Sequence, residues 1–226
     1  MIPLNDTEPN RYGGIPIMTI GLVIINCLVM IAKPFLWEIM PVYTLFGSVP
    51  LQIFNRLGGG GLSSLTSIFL HSNLLHLGGN MVFLWVFGRR VEDACGPWRF
   101  LLFYLTCGLC ADLLSTLIRF GDPIPGIGAS GAIFGLEGAY LMLFPGSRIR
   151  TLVILWFVPA FPKIRAGWLV LYDFAIQILP ALQSAVNNAN YGINYWAHLG
   201  GFFGSLFLFF FLRPEAFSRY LSNEPV

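Results

Sequence analysis

The sequence has 226 residues, of which 56% are hydrophobic and only 11% charged, and the apolar residues fall in long blocks. This composition is typical of a protein embedded in a membrane. Because the net charge is only +2 and no basic cluster contains interleaved aromatic residues, we set nucleic-acid binding aside.

Six apolar runs have about the length that a helix needs to cross a bilayer. They predict an all-α, polytopic membrane protein with six transmembrane helices in one domain, residues 15–212. Short cytoplasmic tails, residues 1–14 and 213–226, flank it. The predicted spans are residues 15–32, 66–87, 98–118, 127–144, 166–182 and 194–212.

Two segments between the spans combine apolar and charged residues. Residues 33–65, before the second span, carry aromatic patches and the glycines of residues 58–61. The second span itself ends at the charged pair Arg89 and Arg90. Residues 149–161 are apolar but about half a dozen residues too short to span comfortably. We expect both segments to rest in the membrane interface, where aromatic and basic side chains are favoured.

Basic residues are concentrated on one side of the predicted membrane. Of the 13 Lys and Arg residues, all except Lys33, Arg56 and Arg119 lie on the side of the N-terminus. The positive-inside rule therefore predicts that both termini are cytoplasmic.

A serine set among small residues heads the fourth span. The segment Gly128-Ala129-Ser130-Gly131 leaves the hydroxyl and the backbone N–H groups open to a reacting carbonyl. It is not the nucleophile elbow of soluble hydrolases, which has glycine where this chain has Ala132. On its own the segment favours helix packing over catalysis, so the choice depends on partner residues.

His198 is the base best placed to activate Ser130. Both residues lie about one turn into their predicted spans, and the single crossing between those spans brings them to the same depth. A lone membrane histidine is more often a structural hydrogen-bonding residue, but here both helices carry small residues that permit close approach. These small residues are Gly131, Gly135, Ala197, Gly201 and Ser205.

The second predicted span carries His76 and Asn80, four residues apart on one helix face. Both can donate a hydrogen bond to an oxyanion. His71 would be offset from His76 by about 140 degrees and lie nearer the surface. The alternative roles are interfacial histidines or metal ligands, and the spacing does not favour a metal site.

In these residues the sequence resembles the rhomboid intramembrane serine proteases, over residues 66–205. The order of three motifs across three spans is specific, although each motif alone is weak. The motifs are Phe69-Leu70-His71 with His76 and Asn80-Met81, Gly128-Ala129-Ser130-Gly131, and Ala197-His198 with Gly201.

The resemblance implies a rhomboid-type bundle that cuts transmembrane protein substrates within the lipid bilayer, without cofactor or metal. Ser130 and His198 would form a catalytic dyad without an aspartate, and His76, Asn80 and the Ser130 N–H would form the oxyanion site. The active site would open to the non-cytoplasmic side, and we expect a bacterial cytoplasmic membrane. Further residues that would bind substrate or support the site are His71, Gly128, Phe134 and Gly201.

The sequence departs from the family pattern at three places. Leu62-Ser63 stands where rhomboids often carry Trp-Arg, so this loop lacks that pair as an anchor. Phe134 stands where tyrosine often lies beneath the imidazole, so the ring can stack but cannot donate a hydrogen bond. Ser205 replaces a frequent glycine.

Two other functions stay open. An inactive rhomboid-like protein that binds or escorts clients would have lost Ser130 or His198, and both are present. A transporter would need ionisable residues along a path, for which Asp112, Glu137 and Asp173 are candidates, but the spans show no inverted repeat. We expect Glu137 to be protonated or bonded to another helix, since a buried lone carboxylate is costly.

Overall fold

The computed structural model describes residues 1–7, 14–38, 40–55, 60–187 and 192–212, which are mostly helical. The predicted C-terminal tail, Arg56, Gly58 and Gly59 lie outside the described residues. The helices are α1 (Ile17–Trp37), α2 (Val42–Phe46), α3 (Pro50–Asn55), α4 (Ser63–Thr66), α5 (Leu74–Phe83), α6 (Arg89–Cys95), α7 (Pro97–Ile118), α8 (Ser130–Leu143), α9 (Ala166–Asn187) and α10 (Tyr195–Leu212). Short 3-10 turns at Gly60–Leu62 and Ser67–Phe69 flank α4, and a π-helical turn at Leu84–Gly88 joins α5 to α6.

A small sheet corrects the all-α prediction. Its strand β2 (Arg148–Leu155) pairs antiparallel with β1 (Ile2–Asp6), β3 (Val158–Ala160) and β4 (Lys163–Arg165). Part of the predicted N-terminal tail is therefore a strand, and most of residues 149–161 form a hairpin. The reason is the alternation in β2, where Ile149 and Thr151 are buried while Arg148 and Arg150 are exposed.

Four helices are long and apolar enough to cross a membrane: α1, α7, α9 and α10. Helix α8 has 14 residues and is about 21 Å long, less than the ~30 Å of a bilayer core. The second predicted span begins only at Leu74, because Asn73 caps α5 through its side chain, and helical structure continues to Cys95. The count of six spans stays a prediction.

Helix α8 lies in the interior, packed against both α7 and α10, which also contact each other. Glycines allow this packing: an added Cβ at Gly201 would overlap the carbonyl oxygen of Gly131, and one at Gly138 would overlap the Ser205 hydroxyl. These pairs run in the same direction along the chain, so α8 and α10 are parallel. The predicted close approach of the two small-residue faces is confirmed.

A buried polar cluster ties the sheet to the helices at the end of α8 opposite Ser130. The Arg90 Nε atom lies 2.8 Å from Asp6 Oδ2, with both side chains almost fully buried, and the Tyr140 hydroxyl also donates to Asp6. Glu92 accepts hydrogen bonds from the backbone N–H groups of Met18 and Thr19 at 2.9 and 2.8 Å, which caps α1. Arg90 is thus an interior ion-pair partner rather than the polar end of a span.

Candidate active site

Gly128 brings the chain to the start of α8 with a positive φ, a backbone conformation that residues with side chains rarely adopt. Its φ is +118°, and an added Cβ would lie 2.9 Å from the Nε2 atom of His76. Its backbone N–H donates to the carbonyl of Ser67 at 2.9 Å. The turn places Ser130 as the first residue of α8, not one turn inside it as predicted, so its N–H is among those left unbonded by the helix itself.

Ser130 and His198 are in hydrogen-bond contact across the packed helices. The Ser130 Oγ atom lies 2.8 Å from His198 Nε2. Asn194 caps α10 by accepting from the Ala197 N–H at 3.2 Å, so His198 lies one turn into its helix as predicted. His198 is buried, whereas Ser130 is half-buried and open to a reactant.

Phe134 fixes the plane of the imidazole. Its ring lies one turn after Ser130 and stacks on the His198 ring with centroids 4.4 Å apart and planes 13° apart. The predicted stacking is confirmed. Because phenylalanine has no hydroxyl, it does not compete for the ring nitrogens of the histidine.

The α5 residues His76 and Asn80 direct nitrogen atoms toward Gly128. The His76 N–H donates to the Asn73 side chain at 2.8 Å, which holds His76 in the first turn of α5. The Ser72 N–H lies 3.5 Å and the Ser72 Oγ atom 3.2 Å from His76 Nδ1. Both groups can donate to Nδ1, an arrangement in which Nε2 carries the proton that faces Gly128. The buried Asn80 Nδ2 atom has no hydrogen-bond partner among the described residues, which leaves its N–H groups free for a ligand oxygen.

His71 lies elsewhere than predicted. It precedes α5 rather than belonging to a neighbouring face of one helix, and it is only 1% exposed. Its ring packs edge-on against His76 with centroids 5.0 Å apart. Lys33 Nζ donates to the His71 carbonyl at 3.0 Å. His71 therefore supports His76 by packing, and its functional role stays a prediction.

Glu137 and Asp173 are two further acidic residues of the interior. Glu137 is fully buried, and neither of its carboxylate oxygens has a hydrogen-bond partner in the described part of the chain. A bond to a neighbouring helix, one of the two states predicted for this carboxyl group, is therefore not seen among the described residues, and its protonated state stays a prediction. Asp173 of α9 is also buried.

Sequence reasoning missed Gln177. This buried α9 residue places its Oε1 atom 2.9 Å from His198 Nδ1. The available signal was a glutamine inside an apolar helix, which is costly in a membrane unless its amide is bonded.

Residues 60–215 match the Rhomboid domain. The chain belongs to the rhomboid family. It is 28% identical to "Rhomboid protein 1, mitochondrial" of Saccharomyces cerevisiae over 86% of this chain and 63% of that protein. It is 43% identical to "Rhomboid protease GluP" of Bacillus subtilis over 37% of this chain and 16% of that protein. It is 34% identical to "RHOMBOID-like protein 1" of Arabidopsis thaliana over 66% of this chain and 34% of that protein.

Family membership and the apolar helices make this rhomboid an integral membrane protein. The chain covers less than two thirds of the length of each of these three relatives. The relatives include bacterial and mitochondrial proteins, and the bacterial membrane expected from the sequence stays a prediction.

Proposed function

We propose that this rhomboid is a serine endopeptidase that hydrolyses peptide bonds in or near the transmembrane segments of other membrane proteins. The contact of 2.8 Å between Ser130 Oγ and His198 Nε2 carries the proposal. A serine hydroxyl is a weak nucleophile until a base within hydrogen-bond reach takes its proton, and this imidazole is in reach.

In the proposed reaction, Ser130 Oγ attacks the substrate carbonyl carbon while His198 Nε2 accepts the hydroxyl proton. The C–N bond then breaks as His198 returns that proton to the leaving amine, and water hydrolyses the acyl-enzyme by the same route. The donors for the oxyanion are the Ser130 N–H, His76 Nε2 and Asn80 Nδ2. The free donor groups of Asn80 support this role, because a buried N–H without a partner is costly unless a ligand uses it.

The depth of the site supports a substrate that is itself in the membrane. Helix α8 is shorter than the bilayer core, and Ser130 begins it. The sheet, which includes β1, lies at the other end of α8. With both termini cytoplasmic, as the distribution of basic residues predicts, the site would open to the non-cytoplasmic side.

The test combines a covalent probe with cleavage. Purified protein is treated with a fluorophosphonate and assayed on a model transmembrane substrate. We expect labelling and cleavage to be lost in Ser130→Ala and nearly lost in His198→Ala, with melting temperatures unchanged. Ser184→Ala is the matched control, because the hydroxyl of this α9 serine bonds to the Ala181 carbonyl on its own helix.

Labelling and cleavage that persist in folded Ser130→Ala would overturn the assignment. A folded wild-type protein that neither reacts nor cleaves, but retains a client protein, would instead support the inactive, client-binding alternative.

A further inference from the structure

Gln177 connects His198 to a third helix. Its Oε1 atom lies 2.9 Å from His198 Nδ1, and its Nε2 atom donates to the backbone carbonyl of Asp173 at 3.1 Å. Gln177 is 9% exposed and His198 is 8% exposed. Both polar ends of the amide are thus engaged inside the protein.

The second of these bonds fixes the orientation of the amide. Turning the amide over would place Oε1 against the carbonyl oxygen of Asp173, and two acceptors repel each other. The amide nitrogen therefore faces Asp173, and the amide oxygen faces the imidazole.

An amide oxygen can only accept, so His198 Nδ1 must carry a proton. The neutral imidazole then has its lone pair on Nε2, the atom that faces Ser130 Oγ. This is the tautomer that can take the serine proton. In the other tautomer, Nε2–H would face the hydroxyl and could not act as a base.

We propose that Gln177 is a positioning residue that holds His198 in the tautomer and orientation needed to deprotonate Ser130. The role is that of the carboxylate in a Ser-His-Asp triad, filled here by a neutral amide. It rests on the proposed proteolytic function. Phe134 fixes the ring plane by stacking, and Gln177 fixes the rotation within that plane and the position of the proton.

The placement of Gln177 makes the base depend on α9. Ser130 and His198 lie on α8 and α10, which pack backbone to backbone, whereas Gln177 contacts His198 from α9. A displacement of α9 that breaks the Gln177 contact would leave the imidazole stacked on Phe134 but free to change tautomer.

The test uses Gln177→Met, which keeps the length and apolar volume of the side chain and removes the acceptor. We expect kcat to fall about tenfold, the range of one lost hydrogen bond, with KM unchanged. In Gln177→Asn the side chain is one methylene too short to reach His198 Nδ1, so kcat should fall by a similar factor. Gln177→Glu restores an acceptor for Nδ1–H and should recover most of the rate. It should also move the acidic limb of the rate profile to higher pH, because a carboxylate favours the imidazolium.

The matched control is Gln183→Met, the same change on the same helix at an exposed position, which should leave kcat unchanged. The second readout is the nitrogen NMR spectrum of the imidazoles, which reports the tautomer without any catalysis. The chain has three histidines, so spectra of single His→Gln variants assign the signals. We expect His198 to carry its proton on Nδ1 in the wild type and to exchange between tautomers in Gln177→Met.

An unchanged His198 spectrum in Gln177→Met, or a changed spectrum with full kcat, would overturn the positioning role. Failure of Ser130 to react with the fluorophosphonate would overturn the proposed function instead. The two failures are distinguishable because the spectrum does not depend on turnover.

Discussion

The closest approach between α8 and α10 gives the sharpest test of the site's architecture. Gly201 lies one turn after His198, and an added Cβ there would overlap the carbonyl oxygen of Gly131, which follows Ser130 in the chain. Neither atom belongs to a flexible side chain, so Gly201→Ala must push the two backbones apart by about 1 Å. Added to the present 2.8 Å between Ser130 Oγ and His198 Nε2, this takes the pair beyond hydrogen-bond range.

We therefore expect Gly201→Ala to lower kcat about a hundredfold, the order of loss that a 1 Å misplacement produces. The overpacking should cost about 1–3 kcal/mol of stability, partly offset because alanine favours the helix by ~1 kcal/mol over glycine. The assay is cleavage of a transmembrane substrate in detergent, with thermal unfolding measured on the same samples.

Gly79→Ala is the matched control for this substitution. Gly79 also lies in a helix that bears site residues, but an added Cβ there would meet no atom within 4 Å. It should keep full activity and an equal or higher melting temperature. Folded Gly201→Ala protein with wild-type kcat would show that the dyad does not depend on the backbone contact, and would refute the reasoning.

Two further predictions concern buried polar groups. Removing the oxyanion donor in Asn80→Ala should lower kcat about a hundredfold or more, and a change in substrate affinity at unchanged turnover would contradict that role. Glu137→Leu should raise the melting temperature and leave cleavage intact, because it removes a buried carboxyl group whose oxygens have no partner in the described residues. Folded Glu137→Gln protein that had lost turnover would instead place this carboxyl group in the mechanism.

The sequence predicted the helices best where hydropathy was continuous. The third predicted span, residues 98–118, begins one residue after the start of α7. The sixth, residues 194–212, begins one residue before the start of α10. In both cases a local signal marks the beginning, since Pro97 opens α7 and Asn194 caps α10. The spacing of glycines likewise predicted which faces meet, because only small residues permit that approach.

Hydropathy failed where polar residues pair inside the protein. Asp6 and Arg90 are far apart in the chain, and each alone resembles a residue exposed to water. Their ion pair anchors the end of β1, which lies in the predicted tail, to the interior. Because Arg90 is paired there, it lies within α6, beyond the predicted end of the second span. The same limit explains why the role of Gln177 was not predicted: its partner His198 is on another helix, so no local pattern marks the contact.

The contacts that hold the site differ in kind from one helix to the next, and this bears on how a substrate reaches Ser130. Between α10 and its neighbours α7 and α8, glycines bring backbone atoms together: an added Cβ at Gly200 would lie 2.9 Å from the Cys110 carbonyl oxygen, and one at Gly201 would overlap the carbonyl oxygen of Gly131. Helix α9 joins this group through side chains, such as Phe174 against Phe202 with ring centroids 4.3 Å apart.

Side-chain contacts can slide or change rotamer, whereas interlocked backbones separate only by losing their packing. We therefore expect α9, which continues to Asn187, to be the element that moves when a substrate enters. Residues 188–191, which follow it, lie outside the described residues. Because α9 also carries Gln177, its return to the bundle would restore the bond to His198 Nδ1. On this reasoning, closure around the substrate and preparation of the base are one event, so a substrate that held α9 open would be bound without being cut efficiently.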